Sequence, residues 1–324
     1  MKVFITGGGG FLGYRLARAI LDRGKLTGPD GVPHAVTQVK VFDAAFPSNS
    51  DPRLVQVIGD VSRPGAVAAA MDPDTETVFH MAAVVSGGAE ADFDLGMRVN
   101  FDGTRQVLEA CRGLLRPPKL IFTSSVAAFG GDLPPVLDDR TTPNPQSSYG
   151  AQKVIGEYLV TDYNRKGFID GRSLRLPTIV VRPGKPNLAA SSFASGVIRE
   201  PLAGVSCVCP VPDTTGVWLL SPPRVIEAFL HAHELPSSAW GMNRVVNLPG
   251  ITVSVRQMLA ALGSIAGASL AARVSFVPDP RTQAIVETWP VQFRTERASA
   301  MGFKPDSTIE EVIRAHISEQ NIRL

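Results

Sequence analysis

The stretch M-K-V-F-I-T-G-G-G-G-F-L-G (residues 1–13) decides the fold: an apolar, β-branched run ends in glycines, and the glycines open an amphipathic segment. Residues 2–6 read as a strand and residues 11–23 as a helix. Between them Gly7, Gly10 and Gly13 form G-x-x-G-x-x-G. There the first glycine permits a tight turn, the second lets backbone approach a pyrophosphate, and the third lets helix pack closely on strand. Amides at the helix start then face the anion, where the helix dipole favours negative charge. Without a strand before it, a run of four glycines would be only a flexible turn. The strand–turn–helix context gives the pattern its meaning.

Outward from this turn, short β-branched runs alternate with helical periods. Strands are expected at residues 38–43, 55–59, 77–83, 119–125 and 173–181, and helices at 64–71, around 99–111, and from 148 into the 160s. Such alternation implies right-handed crossovers and a parallel sheet. The near-continuous apolar strands suit a sheet covered on both faces. Residues 130–145, rich in Pro, Asp and Thr, read as loop; residues 182–216, rich in Gly, Pro and Ser, read as a functional loop region. The expected class is α/β: a Rossmann-type doubly wound parallel sheet with a smaller C-terminal lobe. Residues 1–181, with about 217–249, are assigned to the dinucleotide domain, and 182–216 with 250–324 to a substrate-binding lobe.

Composition narrows the function. With 44% hydrophobic and 19% charged residues, the 324-residue chain suits a soluble protein with a sizeable core. Its net charge of +2 is scattered, so neither nucleic acid nor a membrane surface is expected as a partner. No stretch approaches the ~20 apolar residues of a membrane span. Cys111, Cys207 and Cys209 read as packing thiols, and C-x-C alone falls short of a zinc site. His231 and His233, two apart on a helix, point to different faces. No metal is expected. The N-terminus lacks the features of an export leader, so a cytoplasmic location is expected.

Asp43 ends the second strand, where a carboxylate can accept hydrogen bonds from ribose hydroxyls and would repel a 2′-phosphate. No Lys or Arg follows in residues 44–50, so NAD is expected over NADP. Residues 28–38 read as a surface insertion that lengthens the interval from Gly13 to Asp43. Further along, Tyr149 and Lys153 stand four apart at a helix start and share one face. A phenol of pKa ~10 is a poor base at neutral pH. A nearby ammonium favours the phenolate and makes it a general base for a substrate hydroxyl. Ser125, at the end of the preceding strand, can fix that hydroxyl.

Together these stretches resemble the extended short-chain dehydrogenase/reductase family: T-G-G-G-G-F-L-G (6–13), G-D-V (59–61), H-M-A-A (80–83), V-N-F-D-G-T (99–104), T-S-S (123–125) and Y-G-A-Q-K (149–153). The resemblance implies that Phe11 and Leu12 amides touch the pyrophosphate and that Asp60 and Val61 flank the adenine. It implies that Ala82 and Ala83 line the cofactor, with Thr178 among its contacts, that Asn100 supports the site, and that the chain forms a homodimer. Val126–Ala127 stand where dehydratases of the family carry an acidic pair, and L-P-T (176–178) where many epimerases read Y-F-N. Segments 175–187, 191–196, 199–204 and 218–224 are similar to those of a family branch that oxidises the C2 hydroxyl of a four-carbon sugar acid.

A sugar-acid substrate needs a clamp for its carboxylate, and arginine offers a bidentate fork. Arg182, Lys185 and Arg224 are candidates for it, and Ser86, Ser191 and Ser192 for the hydroxyls. Two rival readings stand beside oxidation: a nucleotide-sugar epimerase that retains its NAD, and a non-catalytic NAD sensor. An intact Ser–Tyr–Lys set argues against the sensor.

Overall fold

A computed structural model describes residues 1–47, 51–185 and 189–324. The ends of the stretches read above at 44–50 and 175–187 fall outside them. Two compact units emerge: Met1–Ser125 with Ser147–Arg175 and Ile226–Val246, and Val126–Gln146 with Leu176–Val225 and Asn247–Leu324.

The first unit is built on a seven-stranded sheet: β1 (Lys2–Thr6), β2 (Gln38–Asp43), β3 (Leu54–Ile58), β4 (Thr77–His80), β5 (Lys119–Ser125), β6 (Asp170–Leu176) and β7 (Val245–Asn247), in the order β7-β6-β5-β4-β1-β2-β3. β1 pairs in parallel with β2 and β4, setting Ile5 beside Val41 and Phe79. All four residues of β4 and four of the five in β1 are buried, as expected of strands covered on both faces. Strand order reverses at β1/β4, so the ligand crevice of such a sheet lies beyond the carboxyl ends of these two strands.

Three helices position the site. Helix α1 (Phe11–Arg23) buries Leu16, Ala17 and Ile20 and stops at Gly24, whose positive φ of 68° and N–H bond to the Ile20 carbonyl make a left-handed cap. Helix α2 (Gly103–Arg112) follows a π-turn at Met97–Asp102. Helix α3 (Ser148–Arg165) begins at Ser147, whose hydroxyl accepts from the Gly150 N–H at 3.2 Å. Phe4, Val78, Leu120 and Phe122 of the sheet pack with Val107, Leu108 and Cys111 of α2 and Val160 of α3. Each large apolar side chain so buried contributes about 1.5–3 kcal/mol, which outweighs intrinsic helix propensity.

Three local features depart from the sequence reading. The strand expected at 173–181 is broken: β6 ends at Leu176, and Thr178–Ile179 pairs instead with Gly216–Leu220. Pro177 lacks the N–H that a continuing ladder requires. Within 182–216 lie a helix, Ser192–Leu202, and a strand, Cys207–Cys209. The apolar period of Phe193, Val197, Ile198 and Leu202 is obscured there by neighbouring Gly and Pro. The insertion read at 28–38 supplies only the turn and second strand of an antiparallel hairpin, Lys25–Thr27 with Pro33–Ala35.

Residues 126–146, 176–181, 217–225 and 247–249, counted with the dinucleotide domain above, group with the second unit. Leu137 N–H donates to the Gln292 carbonyl at 2.9 Å, and the Phe129 and Phe293 rings meet edge-on at 5.9 Å. The second unit has its own core, including Val197, Ile198, Met258, Leu262, Val312 and Ile313. Among the described residues, no helix is long and apolar enough to cross a membrane.

Candidate active site

Gly7 adopts φ 71°, and a β-carbon there would lie 2.6 Å from the Ala82 nitrogen. The turn after β1 is thus pressed against the chain leaving β4, and only glycine fits. A β-carbon on Gly13 would lie 2.1 Å from the Gly7 carbonyl oxygen, so α1 starts directly on that turn. Gly10 is the N-cap of α1 and provides no side-chain acceptor, so Phe11 and Leu12 lead the helix with its uncapped amide end. The Asp43 carboxylate accepts from Gly9 N–H at 2.9 Å and Ala44 N–H at 2.7 Å. That anchors it at the turn with lone pairs left for ribose hydroxyls. Asp60 accepts from the Ser62 hydroxyl at 2.7 Å and the Ser62 N–H at 2.9 Å, which hold its carboxyl below the usual range. Neighbouring Val61 is buried.

A buried relay crosses the carboxyl end of the sheet, and donor counting fixes its direction. Thr104 Oγ1 donates to the Asn100 carbonyl at 2.6 Å, so it accepts from His80 Nε2–H at 2.9 Å. His80 Nδ1 must then accept from the Thr6 hydroxyl at 2.7 Å. Burial, with the Lys153 charge behind it, pushes the His80 imidazole down to about 3, so the ring is neutral. Asn100 closes the relay. Its Oδ1 accepts from Val84 N–H at 2.8 Å, and its Nδ2 donates to the Val84 carbonyl at 3.0 Å and to Gln152 Oε1 at 2.7 Å. One carboxamide therefore ties the segment after β4, which carries Ala82 and Ala83, to helix α3.

Ser125, Tyr149 and Lys153 all belong to the first unit. Lys153 is 2% exposed; its Nζ donates to the Thr123 carbonyl at 2.8 Å and lies 5.5 Å from the Tyr149 ring centre. Burial brings its pKa down to about 7, opposed by the charge of Glu157. Glu157, one turn further along α3, accepts from Ser124 Oγ at 2.5 Å, Arg175 Nε at 2.8 Å and Arg175 Nη2 at 2.6 Å. Sequence reasoning missed Glu157, Arg175, Ser124 and Gln152. The only available signal was that Glu157 repeats the four-residue step from Tyr149 to Lys153.

Of the substrate candidates, Ser86 opens a short helix, Ser86–Ala91, in the first unit, while Arg182, Lys185, Ser191, Ser192 and Arg224 belong to the second, as does Thr178. Arg182 N–H donates to Ser195 Oγ at 3.0 Å, and its carbonyl accepts from Arg199 Nη1 at 2.8 Å. Ser191 is the N-cap of Ser192–Leu202 and gives it no side-chain cap. Arg224 pairs with Glu311 at 3.2 Å, which ties up part of the guanidinium expected to clamp a carboxylate. Among the described residues, no group of three or more His, Cys, Asp or Glu side chains could hold a metal ion.

The glycine turn, uncapped α1 amides and Asp43 carboxylate fit a dinucleotide with vicinal ribose hydroxyls. The chain belongs to the NAD dependent epimerase/dehydratase family, which it matches over residues 3–216. Its cofactor is NAD, as the cradle indicates. It is 54% identical over 323 residues to the D-erythronate dehydrogenase of Cupriavidus necator, covering 99% of each chain, and 43% identical to that of Haemophilus influenzae, covering 98% of this chain and 99% of the relative. Among solved structures, the nucleoside-diphosphate-sugar epimerase from Agrobacterium tumefaciens superposes with a TM-score of 0.91 at 36% identity, covering 100% of this chain and 95% of that one.

Proposed function

We propose that this chain is an NAD-dependent dehydrogenase that oxidises the C2 hydroxyl of D-erythronate to 2-oxo-tetronate. The observation that carries this reading is that Lys153, bonded to the Thr123 carbonyl two residues before Ser125, lies 5.5 Å from the Tyr149 ring centre in the unit that also carries the glycine turn. Identity of 54% to a D-erythronate dehydrogenase supports the choice of substrate. When bound, NAD supplies the hydride acceptor. Ser125 orients the substrate hydroxyl, and Tyr149 takes its proton as C2 becomes a carbonyl. Lys153, held by the Thr123 carbonyl, stabilises the phenolate and binds the nicotinamide ribose. Asn100, through Val84, holds the segment carrying Ala82 and Ala83 against the cofactor.

Arg182 and Lys185 are proposed for the substrate carboxylate, with Arg224 contributing what its Glu311 pair leaves. Ser86, Ser191 and Ser192 are proposed for the hydroxyls, and Thr178 for the cofactor. Residues 1–181 with 217–249 are proposed to serve the dinucleotide, and the remainder the substrate. Ile155 and Tyr158, exposed on α3 at 37% and 65%, support pairing of two copies through α2 and α3. A sedimentation mass of one chain would contradict that homodimer. The free thiols Cys111, Cys207 and Cys209 suit a reducing cytoplasm.

The likeness to a nucleoside-diphosphate-sugar epimerase favours a second reading, epimerisation with retained NAD. NADH formation over a panel of aldonic acids and nucleotide sugars separates the two. D-erythronate should give stoichiometric NADH; turnover of a nucleotide sugar with no NADH release would reverse the assignment.

A further inference from the structure

We propose that Glu157 is a positioning residue for the Tyr149–Lys153 pair: with Ser124 and Arg175 it locks the helix carrying that pair to the strand end carrying Ser125. The inference rests on the reading of Tyr149 as the base.

Tyr149, Lys153 and Glu157 recur every four residues and share one face of α3. Two bonds join that face to the end of β5. Lys153 Nζ donates to the Thr123 carbonyl, and Ser124 Oγ donates to Glu157 Oε1. Their partners are one residue apart on the strand and one turn apart on the helix, so a slide of α3 would break both. Arg175 holds the same carboxylate from β6, the neighbouring strand, with a two-nitrogen fork. The next residue after Ser124 is Ser125, so the latch sets the separation of Ser125 from Tyr149.

A buried ion pair is a poor way simply to glue a helix to a sheet, because an apolar pair of equal volume often holds as well or better. Here the charge has a second use. Lys153 is buried, and the groups facing it are Tyr149 and Glu157 from α3, neutral His80 from β4, and the Phe122 ring and Thr123 carbonyl from β5. Of these, Glu157 is the carboxylate, and it opposes the loss of the Lys153 proton. Arg175 touches Glu157 and fixes where that charge sits.

The test uses the full chain with NAD and D-erythronate, and compares Ser124→Ala, Glu157→Gln and the double variant Glu157→Gln/Arg175→Gln. Misplacing the pair by a fraction of an ångström should lower kcat about tenfold in Ser124→Ala and about 100-fold in the double variant, with KM for NAD changed far less. In both Glu157 variants the limbs of the pH profile should move to lower pH, and Lys153, followed by lysine 13C NMR, should lose its proton at lower pH. A double variant with wild-type melting temperature, kcat, pH profile and Lys153 titration would overturn the proposal, leaving Glu157 a mere partner for Arg175. Should the Glu157 variants fail to fold, Ser124→Ala decides alone: an unchanged kcat overturns the latch. A wild-type chain inert on D-erythronate would count against the proposed substrate instead, and the Lys153 titration would still decide the role of Glu157.

Discussion

At neutral pH an ordinary phenol is almost wholly protonated, and in the proposed function the group that changes this at Tyr149 is Lys153. Two opposed effects set the ammonium. Burial favours its neutral form, while the Thr123 carbonyl and Glu157 favour the charged one. The Tyr–Lys spacing was legible because both residues lie on one helix. The latch around Glu157 was not, because its partners are 33 and 18 residues away and a glutamate on a helix ordinarily reads as a solvated face. At the turn, Gly13 offers a residue-scale prediction. A β-carbon there meets the Gly7 carbonyl at 2.1 Å, and backbone cannot swing aside as a side chain can. Gly13→Ala should weaken NAD binding by at least about tenfold, roughly 1.4 kcal/mol. Titration calorimetry showing wild-type affinity would mean that the turn tolerates the shift and is not the cradle described.

Element by element, the alternation of strands and helices was legible because parallel, doubly covered strands are apolar along their whole length. Three features were hidden for physical reasons. Pro177 ends β6 by one missing N–H, a break that apolar periodicity does not register. The helix Ser192–Leu202 is masked by its loop-like surroundings, and the hairpin at 25–35 is stabilised by pairing across a turn. The π-turn at Met97–Asp102 was hidden as well, yet it carries Asn100. Asn100 satisfies both backbone groups of Val84. Asn100→Ala should therefore destabilise the fold by about 1–3 kcal/mol. Hydrogen exchange should quicken in residues 82–86. Unchanged protection there would show that the carboxamide does not hold the segment.

Two histidines bear on the stability of the whole molecule. His80 and His233 are buried, and burial pushes them down to about 3 and about 4, well below the ordinary ~6.5. The unfolded chain takes up protons there first. Stability is full above ~6.5 and is lost as pH falls toward 4. Melting temperature should drop over that window. His233→Gln, which keeps a hydrogen-bonding group for the Thr77 hydroxyl 2.9 Å away, should flatten the drop. An identical slope in the variant would show that His233 contributes nothing to the loss. The molecule's purpose, on this account, is to seat a dinucleotide on the glycine turn and to remove one proton with one phenol. The most direct measurement is D-erythronate-dependent NADH formation by Tyr149→Phe, made beside its NAD affinity. Affinity within a few-fold of wild type, with turnover down by about 10²–10⁴, is the predicted result. Near-normal turnover would contradict it and place the base elsewhere.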